Sequence, residues 1–317
     1  MAEIVIVDLG YASYDHEREV FEQQGYELTL YQGAENDRDA KIQWCRSAEG
    51  LLVRGTRVDD YFLDQCPDLR AIVRYGVGYD NIDIETARRR GIKVANVQGY
   101  ANHSVSDHAL ALMYACARGI CFPFGNPFAA PPFQDMFEMH EKILGIVGLG
   151  RIGGHFCQKA RGLFKEVLAV DPYQPDEHFT KTGAVRTEMK TLLSRCHVIS
   201  LHCNLTSETY HLLDDDAFSQ MKSRPIVINT ARGAVIQESA LLSALQKNTI
   251  HSAGVDVFEQ EPPGDAQEPL FRHPRVITTG HYAWYSDRAA EMLQRRAAQN
   301  LLDLLQGKKV DDCLNCN

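Results

Sequence analysis

The stretch from Ile143 to Asp171 constrains this chain more than any other part of its sequence. It opens with a short apolar run, Ile143 to Val147, which is typical of a buried strand. Three glycines follow in the spacing G-x-G-x-x-G, at Gly148, Gly150 and Gly153. A helical pattern comes next, and a second apolar run ends at the aspartate. This order of strand, glycine turn, helix, strand and acid predicts a βαβ unit that binds a dinucleotide.

Each part of the stretch has a predicted role. Gly148 permits the tight turn out of the strand, Gly150 lets the backbone approach the pyrophosphate, and Gly153 lets the helix pack close to the strand. The helix N-terminus supplies amide groups and partial positive charge for the phosphates. Asp171 can accept hydrogen bonds from both ribose hydroxyls and would repel a 2'-phosphate. We therefore expect NAD(H) rather than NADP(H).

Composition excludes several classes of protein. The 317 residues carry a net charge of −9, which argues against nonspecific binding to nucleic acid or to an anionic membrane. No apolar run approaches the ~20 residues that span a bilayer, and the first residues lack the basic character of a signal peptide. We therefore expect a cytoplasmic protein of two domains.

Cysteine usage agrees with a reducing compartment. The nine cysteines are scattered through apolar or helical contexts, so we expect free thiols. Cys313 and Cys316 form a C-x-x-C near the C-terminus, but no second pair or neighbouring histidine completes a zinc site. We expect no metal site, and we expect these two residues to belong to a frayed tail.

Strands alternate with helices along the chain, which predicts the α/β class with two doubly wound parallel sheets. Because the glycine fingerprint lies in mid-chain, the cofactor domain is predicted to be an insert. Residues 1–100 plus 285–317 are expected to form a flavodoxin-like substrate-binding domain, and residues 101–284 a Rossmann-type NAD-binding domain. The active site would lie in the cleft between them. The proline-rich segment 121–133 is predicted to be extended and packed on a surface.

Ligands of open α/β sheets bind beyond the carboxyl ends of the strands, so the residues that follow each predicted strand are informative. Thr230-Ala231-Arg232-Gly233 follows the run 226–229. Asp256, and then Glu259 and Glu261, follow the run 252–255. Gly280 and His281 follow the run 276–278. An arginine, an acid and a histidine are thus expected at one edge of the sheet.

These residue types suit hydride transfer to a keto acid. The forked guanidinium of Arg232 can bind the carboxylate and polarise the carbonyl. His281 can exchange the proton of the developing alkoxide. An acid must orient that imidazole and favour its protonated form. We assign this partner to Glu261, while Glu259 remains an alternative that only geometry can exclude.

Several motifs together resemble one known family. N-T-A-R-G, G-V-D-V-F-E-x-E-P, T-x-H, G-L-G-R-I-G and R-Y-G-V-G-Y-D-N-I-D are similar to those of the D-isomer-specific 2-hydroxyacid dehydrogenases, over nearly the whole chain. H-x-A-W-Y-S and the closing L-N-C-N resemble in particular the C-terminal binding protein (CtBP-like) branch. That branch contains NADH-dependent transcriptional corepressors and bacterial dehydrogenases.

The resemblance implies specific residues. Arg232, Glu261 and His281 match the catalytic residues; the substrate residues are Arg74, the amides of Val77 and Gly78, and Trp284. The implied cofactor contacts are Val77, Gly148, Gly150, Arg151, Ile152, Gly153, Asp171, Cys203, Thr209, Thr230, Ala231, Arg232, Asp256 and His281. The resemblance also implies a homodimer joined through the cofactor domains. Gly280 departs from the usual proline, and the segment 121–133 does not match the family's dimer arm.

Three functions are compatible with these features. The first is an NAD-dependent D-2-hydroxyacid dehydrogenase acting on a small 2-keto or 2-hydroxy acid. The second is an NADH-sensing, corepressor-like binding protein, which the acidic charge and the lack of basic tails disfavour. The third acts on formate or phosphite, which the intact Glu261–His281 pair disfavours. Trp284, Tyr75 and Tyr100 predict an aromatic pocket, and Arg74 could add a positive charge. A bulky, sulfur-containing or acidic substrate side chain would fit there.

Overall fold

The computed structural model describes residues 3–121, 136 and 138–316. The chain divides into two compact units, Met1–Tyr100 with Ser286–Asn317 and Ala101–Tyr285. Each unit contains its own parallel β-sheet.

The secondary structure elements are numbered along the chain. The strands β1 to β12 are Glu3–Ile6, Glu27–Leu30, Ala48–Val53, Ala71–Arg74, Lys93–Ala95, Ile143–Val147, Glu166–Val170, Val185–Arg186, Val198–Leu201, Ile226–Asn229, Ser252–Val255 and Val276–Thr278. The helices α1 to α12 are Asp15–Glu22, Arg38–Trp44, Asp60–Asp64, Ile84–Arg89, Asn102–Arg118, Arg151–Ala160, Asp176–Thr182, Met189–Arg195, Asp215–Ser219, Glu238–Gln246, Glu268–Phe271 and Asp287–Leu305.

The strand orders identify the two sheet types. The first unit has the order β2-β1-β3-β4-β5, which is the flavodoxin-like order. The second has β12-β11-β10-β9-β6-β7-β8, which extends the Rossmann order. The paired strands of both sheets are parallel. The predicted α/β class with two doubly wound parallel sheets is therefore confirmed.

Local sequence explains why these elements form. The central strands are apolar on both faces because helices cover both sides of a parallel sheet; β9 and β10 are buried throughout. Several helices begin at a side chain that accepts an amide of the first turn, and these caps are Asp37, Asp59, Asp83, Asp214 and Ser286. In the first unit α12 is fastened by Arg70, which donates to the carbonyl of Leu305 at 2.9 Å.

The C-terminal residues differ from the sequence-based expectation. Instead of fraying, they lie along β5, where the amide of Leu314 donates to the carbonyl of Val94 at 2.8 Å. Cys313 and Cys316 form a disulfide, so the expectation of free thiols is wrong at these two positions. The tail is ordered because β5 is the last strand of its sheet and offers unpaired backbone groups.

Other expectations have different outcomes. Helices α2, α7, α8 and α11 and the strand β8 were not predicted, because they are too short to show a periodic apolar pattern. The predicted extended segment 121–133 lies outside the described residues beyond Cys121, which is exposed. In the described part of the chain, no helix combines the length and the apolar character needed to cross a bilayer.

Candidate active site

The glycine turn between β6 and α6 has the geometry that its spacing predicts. Gly148 has a φ of 87°, which favours glycine, and a Cβ there would lie 2.6 Å from the amide nitrogen of Cys203. A Cβ on Gly153 would lie 2.0 Å from the carbonyl oxygen of Gly148. Among the described residues, and apart from its two chain neighbours, no heavy atom lies within 4 Å of the Cβ position of Gly150. The turn is therefore closely packed at Gly148 and Gly153. It is open at Gly150, next to the first amides of α6.

Asp171 follows β7 and is tied to the glycine turn. Its Oδ2 accepts the amide of Leu149 at 2.7 Å, and its Oδ1 accepts the amide of Tyr173 at 2.9 Å. These bonds fix the carboxylate beside the turn. Each carboxylate oxygen can accept more than one hydrogen bond, so both can also accept ribose hydroxyls.

The turn after β10 carries Arg232. The buried side chain of Asn229 braces this turn, accepting the amide of Ala231 at 3.0 Å and donating to the carbonyl of Arg232 at 2.9 Å. A Cβ on Gly233 would lie 1.8 Å from the carbonyl carbon of Phe258. The turn can therefore approach the loop after β11 only because Gly233 has no side chain.

The structure joins His281 to Glu261. The Nδ1 of His281 lies 2.5 Å from Oε2 of Glu261, whose Oε1 accepts the amide of Phe258 at 3.0 Å. Burial on its own would raise the pKa of Glu261. The hydrogen bond from His281, the attraction of its ring and the charge of Arg232 outweigh burial and lower that pKa below its ordinary value.

Glu259, the alternative partner, points elsewhere. Its Oε1 accepts the amide of Glu238 at 2.9 Å and lies 3.1 Å from Nε2 of His211. Its own amide donates to the carboxylate of Glu238 at 2.8 Å. The geometry thus pairs His281 with Glu261 and gives Glu259 different neighbours.

Asp256 holds the loop that carries His281. Its buried carboxylate accepts the hydroxyl of Thr279 at 2.5 Å and the amides of Tyr282 and Ala283 at 3.1 and 3.0 Å. Its carbonyl accepts the amide of His281 at 2.7 Å. His281 has a φ of 55°, a conformation that costs a side-chain-bearing residue about 1–3 kcal/mol and persists only when its surroundings hold it.

Sequence reasoning missed two supports of the site, one for the loop of His281 and one for the turn of Arg232. His108 on α5 places Nε2 2.9 Å from the hydroxyl of Thr279, and its ring lies edge-on to Tyr282 with centroids 5.4 Å apart. Asn229, the last residue of β10, braces the turn that carries Arg232. A polar residue closing an apolar strand is the signal that could have identified it as a turn brace.

The remaining predicted cofactor contacts lie around the same sheet edge. Cys203 follows β9 beside Gly148, and burial raises the pKa of its thiol to about 11, so it is not a reactive thiolate. Thr209 donates to the carbonyl of Asn204 at 2.6 Å and closes its own loop. Arg151 is exposed, and Ile152 and Ala231 are half-buried.

In the first unit, the loop after β4 carries the predicted substrate residues. Val77 and Gly78 are half-buried, and the carbonyl of Val77 accepts Nδ2 of Asn96 at 2.6 Å. Arg74 crosses the loop, with Nη1 1.6 Å from where a Cβ of Gly76 would stand. Tyr75 is buried and donates to Glu17 at 2.7 Å, so its prediction as a pocket wall is wrong. In the second unit Trp284 is half-buried, and its ring lies 5.6 Å from that of Tyr285.

These residues fit a dinucleotide. The space above Gly150 admits a phosphate next to the helix N-terminus. The hydroxyl of Thr230 is buried without a hydrogen-bond partner among the residues that the structure describes, so a ligand can supply one. Across residues 3–121 and 138–316, no group of His, Cys, Asp and Glu side chains has the arrangement of a metal site.

Comparison with known proteins agrees with this site. Residues 125–283 match the family "D-isomer specific 2-hydroxyacid dehydrogenase, NAD binding domain". The chain is 32% identical over 302 residues to glyoxylate/hydroxypyruvate reductase B of Yersinia enterocolitica, covering 92% of each chain. It is 34% identical to glyoxylate reductase of Thermococcus litoralis, covering 92% of this chain and 91% of that one. The structure of D-lactate dehydrogenase from Escherichia coli superposes with a TM-score of 0.82 at 29% identity, covering 99% and 100%.

The family match spans half of the chain, and the relatives cover nearly all of it. The predicted cofactor and the predicted reaction class are thereby confirmed. The chain belongs to the D-isomer specific 2-hydroxyacid dehydrogenase family and is an NAD-dependent oxidoreductase that acts on CH–OH groups.

Proposed function

We propose that this enzyme reduces a small 2-keto acid to its D-2-hydroxy acid with NADH, and that His281 exchanges the proton with the substrate. The observation that carries the proposal is the 2.5 Å contact between Nδ1 of His281 and Glu261. This contact commits Nδ1 to the carboxylate, so Nε2 is the nitrogen that serves the substrate oxygen.

Each residue has a defined part in the reaction. When bound, the nicotinamide supplies the hydride to C2. His281 gives the proton from Nε2 to the carbonyl oxygen and, in the reverse direction, removes it from the hydroxyl. Glu261 stabilises the imidazolium, since its lowered pKa keeps it ionised at neutral pH. Arg232 holds the substrate oxygens with its forked donors and polarises the carbonyl.

We assign the substrate carboxylate to the amides of Val77 and Gly78, with Arg74 and Trp284 near the substrate side chain. Support comes from the half-buried state of the loop and from the guanidinium of Arg74 lying across it. The remaining cofactor contacts are proposed as the family resemblance implies them.

Variants of the proton relay test the mechanism. His281→Ala should lower the maximal rate about 10²–10⁴-fold with little change in NADH affinity, because a general acid contributes about that much. Glu261→Gln should lower the rate roughly 10–100-fold, the value of a charge-assisted hydrogen bond. Glu259→Gln is the matched control and should stay close to wild type. Wild-type turnover by His281→Ala would remove His281 from the mechanism.

The substrate itself is tested with a panel of 2-keto acids. Glyoxylate and hydroxypyruvate come first, because the curated relatives carry those names, and pyruvate follows because the Escherichia coli structure is of a D-lactate dehydrogenase. Longer acids with acidic or sulfur-containing side chains test Arg74 and Trp284. Loss of reduced-nicotinamide absorbance with NADH and NADPH gives the rates. Only slow turnover with every acid would favour the NADH-sensing alternative.

Three finer assignments belong to the same proposal. We place the chain near the CtBP-like branch on its H-Y-A-W-Y-S and L-N-C-N motifs, although the relatives described above are enzymes. We propose a cytoplasmic protein, because seven cysteines in the described residues are thiols and the Cys313–Cys316 disulfide is the exception among them. We propose a homodimer, as the resemblance to the dehydrogenase family implies. Light scattering on the purified chain measures the oligomeric state.

A further inference from the structure

The C-terminal segment, residues 310–316, forms an additional edge on the first sheet. Cys313 pairs with Ala95 in an antiparallel bridge, and the amide of Leu314 donates to the carbonyl of Val94 at 2.8 Å. The buried side chain of Asn315 accepts the amide of Val94 and donates to the carbonyl of Ile92, both at 2.8 Å. The disulfide between Cys313 and Cys316 closes a short loop around this asparagine.

Asp312 connects this segment to α12 and to the residues after β5. Its Oδ2 accepts Nη2 of Arg296 at 2.6 Å, Nδ2 of Asn300 at 3.3 Å and the amide of Gln98 at 3.4 Å. Its carbonyl accepts the amide of Asn96 at 3.3 Å. Because α12 is anchored in the unit, Asp312 fixes residues 96–98 to a rigid element.

Residues 96–98 in turn hold the loop after β4. The amide of Val97 donates to the carbonyl of Gly76 at 3.0 Å, and Nδ2 of Asn96 donates to the carbonyl of Val77 at 2.6 Å. Arg296 donates to the carbonyl of Gln98 at 2.6 Å and completes the connection. A continuous set of hydrogen bonds thus joins Asp312 to the peptide between Val77 and Gly78.

We propose that Asp312 is a positioning residue for substrate binding and that the disulfide-closed segment 310–316 keeps it in place. The inference rests on the proposed function, in which the Val77 and Gly78 amides hold the substrate carboxylate. Loss of the Asp312 charge loosens residues 96–98, and the two amides then lose their common direction. Small displacements of binding groups have large effects on productive geometry.

The test compares two adjacent carboxylates. The side chain of Asp312 is buried, whereas that of Asp311 is 91% exposed and lies 3.5 Å from Lys309 at the surface. Asp312→Asn should raise the KM for the keto acid about tenfold, with kcat and the KM for NADH close to wild type. Asp311→Asn should change none of these values. A loss of folded enzyme alone would lower kcat and leave KM unchanged, so the KM-against-kcat split separates positioning from general stability.

Hydrogen exchange provides a second readout that needs no substrate. Asp312→Asn should speed exchange at Val77 and Gly78, while the glycine turn at residues 148–153 keeps wild-type protection. Unchanged exchange and unchanged KM overturn the proposal. Faster exchange with an unchanged KM would overturn the carboxylate-binding role of Val77 and Gly78, and with it the role of Asp312.

If Asp312→Asn does not fold, the disulfide gives an independent route in the wild-type chain. A dithiol reductant transfers two electrons and two protons, so that the S–S bond becomes two thiols and the reductant closes its own disulfide. Reduction should raise the KM for the keto acid several-fold and speed exchange at Val77. A Cys313→Ser/Cys316→Ser variant should show the raised KM and no response to the reductant. An unchanged KM in both would contradict a role for the segment.

Discussion

Both sheets contain a point where strand order reverses, between β1 and β3 in the first unit and between β6 and β9 in the second. In the first unit Asp8 occupies this point. It accepts Nζ of Lys41 at 2.7 Å and the amides of Arg54, Gly55 and Thr56 at 2.8, 2.8 and 2.9 Å. In the second unit the glycine turn borders the same kind of crevice, and the space above Gly150 is open.

Sheet topology supplies a crevice in both units, and side chains decide whether the protein or a ligand fills it. Asp8 is buried; burial alone would raise its pKa, but the bonds from Lys41 and Thr56 and the backbone amides lower that pKa to about 2. The negative charge of Asp8 is therefore paired with hydrogen-bond donors of the protein itself. At the second crevice the glycines contribute no side chain, so amide groups remain for a phosphate.

A bulky side chain placed in each crevice should give the largest difference. Gly150→Val should weaken NADH binding roughly 10²-fold, because the new side chain would fill the phosphate space. Gly55→Val is the matched control. Its Cβ position also has no heavy atom within 4 Å among the described residues beyond its chain neighbours, but its amide donates to Asp8 in the filled crevice. Fluorescence titration with NADH measures both. Equal affinities in the two variants would contradict the assignment of the open crevice to the cofactor.

Asp8→Asn should lower stability and leave NADH affinity unchanged. A pKa lowered from 3.8 to about 2 corresponds to about 2 kcal/mol of unfolding free energy at neutral pH, and the variant also leaves Lys41 without its buried partner. The depressed pKa means that this contribution is present above pH 3.8 and is lost as pH falls towards 2. Urea unfolding at pH 7 and pH 3 should show the difference shrinking by about half. A difference independent of pH would exclude the carboxylate as its source.

Asp171→Asn should have the smallest effect of the three. Asp171 is like Asp8 in that its carboxylate is buried and accepts two backbone amides. It differs in that it borders the open crevice beside the glycine turn. The amide keeps the shape but loses the charge, so the ratio of kcat/KM for NADH over NADPH should fall about tenfold. Asp176→Asn, at an 89% exposed carboxylate that pairs with Arg186, serves as the control. An unchanged ratio in Asp171→Asn would point to another discriminator.

Much of the second unit was predictable from sequence. Strands β6, β10, β11 and β12 begin and end where the predicted runs do, because each run is short and mostly apolar and is flanked by polar residues, glycine or proline. Glycine spacing predicted the turn, and the spacing of strand ends predicted an edge with Arg232 and His281. These features depend on short stretches of sequence.

Features that depend on distant residues were not predictable. The choice between Glu259 and Glu261 is decided by Glu238 and His211, which lie on other elements. Asp256 was predicted as a cofactor contact, but its carboxylate is engaged in holding the loop of His281. Tyr75 was predicted to line a pocket, but its hydroxyl donates to the buried carboxylate of Glu17.

The cover that residues 310–316 give to β5 bears on self-association. A chain shortened before Val310 would expose the carbonyls of Ile92 and Val94 and the amide of Val94 along the outer margin of the sheet. Such a bare margin is a template for a strand from another copy, and aggregation is its usual result. These few residues therefore contribute to keeping the enzyme dispersed as well as folded.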